Sequence, residues 1–550
     1  MIEILESRIA PAAVFYYTDV DGDHVKISST VGTDTELAAA VTLSNSGVGV
    51  AAVGKPHVLE MLSLGHEFAG ASISITATPS NDLNPLSKTK SGDGFANVGE
   101  INAPLIDLKT VSVHGDLGQI VVGDNNLKHE GLGSLSVQSM GDFGLTTGAN
   151  SLLSRFENGV GSIKIAHDAD GVLLRATATG QALTAKIGSV YIGGDLIGIN
   201  TNAPGAIDAV NGIGSVKIMG NVIGGSDTQT GRISAATGNI GSIYVHGNFI
   251  GGSAQSTGIV FTTKTIGSII VKGGLLGGSA ESTGGVDAGS IGLIEVGSGL
   301  TGGTFSSTTD VDHSAYIRAQ DNIKSAIIGG GLTAGTETGG GAMTFSAAVQ
   351  AGGAIGSLKV EGSIVGSAGD AVVISGEGPK VTYSTTTNKP LEKHDVAIGS
   401  LVVEGSATYA QILAGYDIGS PSGPAISPKN GDAQIGSVKI GGDLIASDII
   451  AGVKTAAGDT NFGLATDSAI GLGTPAATDG IYSTIASIVV GGEIEGTNAT
   501  VDMFGIEAQY IVSIKSGGLA LPLTKGPGND GFLISPQTAR DVHVNEVGGT

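Results

Sequence analysis

Ile213–Gly225 reads IGSVKIMGNVIGG. Close copies stand at Ile187–Gly198 (IGSVYIGGDLIG), Ile240–Gly252 (IGSIYVHGNFIGG), Ile266–Gly278 (IGSIIVKGGLLGG) and Ile291–Gly303 (IGLIEVGSGLTGG). Their starts lie about 26 residues apart, and a fixed period of that size marks a stacked-repeat architecture. Within the Ile213 copy, Val216 and Ile218 fall on one face of a strand and Lys217 on the other, the period of two expected for β-structure. Apolar spacing of i, i+3, i+4 is missing, so an amphipathic helix does not fit. Gly220-Asn221 marks a corner, Val222 opens a second short strand, and a third β-like piece falls around Arg232–Ala235. Three short strands per turn, joined at Gly corners that tolerate positive φ, predict an all-β parallel β-helix, that is, a β-solenoid.

Working outward, weaker copies precede these at Leu108, Leu132 and Val160. Later ones start at Ile323, Ile355, Ile398, Ile435, Ile485 and Ile511, giving about 14 rungs. Val190, Val216, Ile243, Ile269 and Ile294 are the expected inward column, with Leu358, Leu401, Val438 and Ile488 continuing it. Tyr191, Lys217 and Tyr244 point the other way. After Thr304 the interval lengthens through additions at about 306–322, 369–396, 417–433 and 454–484, read as corner loops projecting from one side. The expected organisation is therefore a tail at 1–13, an N-terminal antiparallel β capping domain at 14–104, the parallel β-helix at 105–518 and a C-terminal cap or attachment segment at 519–550. A cap is expected because an open first rung would expose a strand edge.

Composition narrows the function. Gly is very frequent (93 residues) yet 40% of residues are hydrophobic, which argues against disorder. A formal charge of -23 makes nucleic acid and anionic membranes poor partners. Solubility is one reading of that acidity; attraction of divalent cations is the other. Cys is absent, which excludes disulfides and thiol catalysis, and no run of 18 apolar residues suggests a transmembrane helix. With no Trp and only 10 Tyr, the chain lacks much of what sugar clefts and binding hot spots use.

Near the start, Leu5-Glu6-Ser7-Arg8-Ile9-Ala10-Pro11-Ala12 resembles the Leu-Glu-Pro-Arg motif of exported surface proteins of planctomycete-type and verrucomicrobial bacteria, with Ser7 in place of its Pro. The resemblance covers under a tenth of the chain and implies a sorting or export signal and a cell-surface or extracellular location. An ordinary tail is the alternative.

Two stretches are candidates for metal binding. Asp19-Val20-Asp21-Gly22-Asp23 resembles the opening of a calcium loop, but His24 and Thr30 stand where an EF-hand needs Gly and Glu. A hairpin turn or a shallow calcium site through Asp19, Asp21 and Asp23 remain. Gly526–Leu533, with Asn529 and Asp530, partly resembles one calcium-binding nonapeptide of RTX proteins, whose chemistry needs consecutive copies. Asp116, Asp195, Asn221, Asn248, Ser363, Ser406, Asp443 and Glu493 share one corner, where side chains could hydrogen-bond along a ladder. Catalytic signatures are absent: there is no G-x-S-x-G, Walker A loop or H-E-x-x-H. Asp310-Val311-Asp312-His313 and His167-Asp168-Ala169-Asp170 are the nearest acid/base clusters, and solvated loop chemistry is the alternative for each. The expected function is an exported structural or adhesive element, not an enzyme, with no required cofactor. Self-association or a cell-surface or matrix component are its expected partners. The rival is a carbohydrate-active β-helix enzyme, a lyase or hydrolase.

Overall fold

The computed structural model describes residues 13–44, 58–80, 92–124, 126, 129–178, 185–306, 308, 310–341, 343–379, 386, 395–419, 426–457, 459, 461–471, 481–497, 502–534 and 541–548. The motif at residues 5–12 lies outside them. The chain divides into two compact units, Met1–His246 and Gly247–Thr550.

The first unit begins with antiparallel pairs. Ala13–Thr18 pairs with His24–Ser29, and the latter with Ser72–Thr78. Parallel pairing then takes over, because Val98–Pro104 joins both Val58–Ser63 and Leu108–Gly123 in parallel. The repeat phrase behaves as its spacing requires. Ile187, Val190 and Ile192 lie opposite Ile213, Val216 and Ile218, which in turn lie opposite Ile240, Ile243 and Val245. Two further sets do the same: Leu196–Ile197 with Val222–Ile223, and Ala206–Ala209 with Arg232–Ala235. One period of sequence therefore equals one step across each of three parallel ladders.

Side-chain burial follows the pleat. Val216 and Ile218 are buried and Lys217 between them is exposed. Lys217 places its ammonium 6.0 Å from the Tyr191 ring centre and 5.6 Å from that of Tyr244, one neighbour on each side. The Gly of IGS has a reason other than positive φ. A Cβ at Gly214 would stand 2.2 Å from the carbonyl oxygen of Gly188, and one at Gly241 would stand 2.3 Å from that of Gly214. Adjacent backbones approach too closely there for any side chain.

The second unit repeats the arrangement with longer periods. Ile355–Val360 pairs in parallel with Ile323–Ile328 and Val396–Val403, and the series continues through Gln434–Ile440 and Ile488–Val490 to Ile514–Ser516. Antiparallel pairs close the chain, Ile514–Ser516 with Leu519–Ala520 and Gly531–Ile534 with Val542–Glu546. A corner absent from the sequence reading also recurs. Thr257 and Thr283 are fully buried; each hydroxyl donates to a carbonyl three residues back, Ala254 or Ala280, and accepts from the N–H of Gly252 or Gly278. Gly258 and Gly284 follow at φ +63° and +64°, where a side chain would strain the backbone.

Two features add to what the sequence leads one to expect. The N-terminal segment also holds a short helix: Asp34–Ala40 is capped by Thr33, whose hydroxyl accepts from Glu36 N–H while Glu36 reaches back to Thr33 N–H. Residues of the additions after Thr304, among them Val311–Ser314, Phe462 and Ile470, pair and pack with residues of the flanking repeats. Val311–Ser314 pairs in parallel with Met343–Ser346. Buried Phe345, Leu413, Tyr416, Val453, Phe462 and Ile470 form a separate apolar core. The Tyr416 hydroxyl donates to Val453 O at 2.7 Å, which satisfies its polar end inside that core.

Candidate functional site

The shared corner is a capping ladder. Asp168 Oδ1 accepts the N–H of Asp195 at 2.7 Å, and Asp195 Oδ1 accepts that of Asn221. In the second unit Asn248 Oδ1 accepts Gly274 N–H, Ser363 Oγ accepts Ser406 N–H, Ser406 Oγ accepts Asp443 N–H, and Asp443 Oδ1 accepts Glu493 N–H. Each side chain thus satisfies a backbone donor in the next repeat, where the bend interrupts the ladder of main-chain bonds. This accounts for the residue types without a ligand.

The Asp310–His313 stretch is split by its backbone. His313 adopts φ +60° and is buried against Tyr316 and Phe345, with ring centres 5.1 and 4.9 Å away. Burial, reinforced by the Arg318 charge, lowers its pKa to about 4, so it is neutral at pH 7 and enclosed. Asp312 is half-buried and raised to about 6 by burial, then by Glu281 and Asp310. Glu281 is the neighbouring acid that linear proximity did not reveal. Similarly, burial raises Asp170, and Asp142, Asp168 and Asp116 add to the effect. Asp116 itself accepts from Ser139 Oγ and the N–H groups of Asp142 and Phe143. Asp116, Ser139, Asp142 and Phe143, together with Asp93, Phe95 and exposed His167, border a cleft of about 190 Å3.

A larger cleft of about 350 Å3 lies against the added core of the second unit. Asp448 and Asp502 both line it, beside Tyr409 and Phe504, whose rings meet edge to face at 6.2 Å. Asp448 is buried, accepts the N–H of Gly505 at 2.9 Å, and is pushed up to about 7 by burial. Behind it, burial raises Glu507 and Asp467, and the contact between their carboxyl groups raises Glu507 further. Asp448 carries no motif in the sequence. Its place in the strand Asp448–Ala451 gives it a strand position, and only the long-range fold closes the cleft around it.

The two sequence-derived metal candidates differ. Asp530 accepts the Thr524 N–H through both carboxylate oxygens, at 3.1 and 2.8 Å, while Asn529 donates its N–H to Glu546 and its Nδ2 to Lys525 O. Those bonds shape a turn. Asp19, Asp21 and Asp23 instead bring one carboxylate oxygen each within 4.8 Å of one another. Asp19 Oδ1 accepts the N–H of Gly22 and Asp23, Asp21 Oδ2 accepts that of Asp93, and Asp23 Oδ2 accepts that of Gly94. Burial raises Asp19, with the adjoining Asp21 carboxyl raising it further, and burial likewise raises Asp23. No helix among the described residues is long and apolar enough to cross a membrane. Comparison with protein-family models, with curated proteins and with solved structures finds no match to this chain.

Proposed function

We propose that the chain is a parallel β-solenoid that serves as a structural or adhesive element at the cell surface or outside the cell. The observation that carries this reading is the repeated in-register pairing of the IGS strands, Ile187 with Ile213 and Ile213 with Ile240, alongside two equivalent ladders. Such walls are held rigid by buried aliphatic columns and by the capping ladder, which suits a stiff spacer. The outward face, with Tyr191, Lys217 and Tyr244 in a row, is available for contact. Surface location rests on the Leu5–Ala12 resemblance. Protease accessibility of the intact protein on producing cells tests it: digestion from outside is expected, and complete protection would overturn it. Self-association is a variant of the reading, and a monomeric sedimentation profile at every concentration would remove that variant.

A carbohydrate-active enzyme is the second reading, favoured by the cleft that Asp448 and Asp502 share with Tyr409 and Phe504. A raised carboxyl can donate a proton to a leaving sugar oxygen, and a second carboxylate can act on the opposite side. Turnover of neutral or acidic polysaccharides that Asp448→Asn abolishes would establish this reading in place of the first. If turnover instead depends on Asp310 and Asp312, the active site lies at Asp310–His313.

A further inference from the structure

We propose that the Asp19–Asp23 turn binds one calcium ion through Asp19, Asp21 and Asp23, and that the ion fastens the first hairpin to the Gly92–Phe95 segment. The site is built from two separate parts of the chain. The hairpin turn between Ala13–Thr18 and His24–Ser29 supplies the three carboxylates. The other part supplies backbone donors, Asp93 N–H to Asp21 and Gly94 N–H to Asp23, which fix two of those carboxylates in orientation. A Cβ at Gly92 would stand 1.6 Å from Asp23 Oδ1, and Gly92 itself sits at φ +93°, so only glycine admits this carboxylate.

The acids alone would not define a site. The independent observation is an orphaned atom: Asp23 is fully buried, yet its Oδ1 accepts no hydrogen bond. The Tyr17 hydroxyl, buried beside the charge of Asp19, also lacks a partner. A buried carboxylate oxygen without a donor costs on the order of 1–3 kcal/mol or more. A cation at the convergence of the three carboxylates would satisfy it and relieve their mutual repulsion. Calcium accepts oxygen ligands at about 2.3–2.6 Å, so two of its ligands can be up to roughly 5 Å apart, and it tolerates irregular shells completed by water. The observed spread of at most 4.8 Å fits within that span. Magnesium demands a near-ideal octahedron, which a five-residue turn does not offer.

The test uses the full chain freed of metal with a chelator and titrated calorimetrically with calcium chloride, then with magnesium chloride. One strong calcium site per chain is expected, with a rise in thermal midpoint. Asp21→Asn changes an exposed side chain and is expected to weaken binding roughly tenfold or more, with an unchanged circular dichroism spectrum. Asp23→Asn is the second variant. If the native chain takes up no calcium at millimolar concentration, binds magnesium as tightly, or keeps its calcium affinity in folded Asp21→Asn protein, the proposal is wrong.

Discussion

Ile218→Ala and Lys217→Ala alter neighbouring residues of one strand, and the fold assigns them very different costs. Ile218 is fully buried, opposite Ile192 on one side and Val245 on the other. Truncating a buried isoleucine removes its transfer free energy and leaves a cavity, about 2–5 kcal/mol in total. The upper half of that range is expected, because the neighbouring ladders hold the backbone on both sides and limit collapse into the hole. Lys217 is exposed and loses only its two contacts with Tyr191 and Tyr244, worth roughly 0.5–1 kcal/mol together at an exposed position. Urea unfolding followed by circular dichroism and by tyrosine fluorescence measures both, since the chain has no Trp to obscure the signal. The midpoint should fall sharply for Ile218→Ala and barely move for Lys217→Ala, at similar slopes. Equal losses would refute the assignment of inward and outward faces on which the whole ladder rests.

Thr283→Val keeps the shape but leaves the part-buried Gly278 N–H without its acceptor, so a loss of about 1 kcal/mol is expected by the same unfolding assay; Thr283→Ser should recover most of it. Asp448 sets a pH dependence. Its folded-state pKa of about 7 lies above that of an unfolded aspartate, near 3.9, so the folded chain binds the extra proton and this group's stability contribution is complete below about pH 4 and lost as pH rises through 7. Asp448→Asn should remove up to roughly 1.4 kcal/mol per pH unit of slope across that window, measured as the difference from the native chain. Asp208 has the opposite sign: burial alone would raise it, but Arg232, Ser234 and Arg175 outweigh burial and lower it. Its contribution is present above the ordinary aspartate range and disappears as pH falls through the lowered value, so Asp208→Asn should lessen the acid sensitivity of the first unit.

Much of the fold is legible because one chemical event recurs at one interval. The step from Ile213 to Ile240 in sequence is the step between adjacent parallel strands, and the alternation around Lys217 fixes which side chains are buried. Even the corner positions Asp195 and Asn221 announce themselves by position, although only the structure shows which N–H they cap. The rest depends on events that do not repeat. The short helix after Thr33 was signalled only by the four-residue Thr-x-x-Glu pattern. His313 reads as a surface base beside Asp312, but its left-handed backbone turns it inward. The core around Tyr416 and Phe462 joins residues of the repeat strands to residues of the additions, such as Phe462 and Ile470, in contacts that leave no period in the chain, and the Asp448 cleft borders that core. At Asp19–Asp23 the sequence gives the acid spacing, whereas the Gly92–Phe95 segment that orients the carboxylates is supplied by tertiary structure alone.

Whether each repeat advances the chain by one strand spacing is tested most directly by distances between spin labels in this Cys-free chain. Glu295, Ile327, Lys359, Val402, Lys439, Val489 and Lys515 are successive partners within the second unit. At ~4.8 Å per parallel step, labels at Glu295 and Lys439 should lie about 19 Å apart and labels at Glu295 and Lys515 about 29 Å apart, before allowance for the label arms. Pulsed electron paramagnetic resonance reads both pairs in the same range. Distances that grow in the ratio of four steps to six are expected; distances that fail to increase from the first pair to the second would contradict the parallel stacking of the repeats.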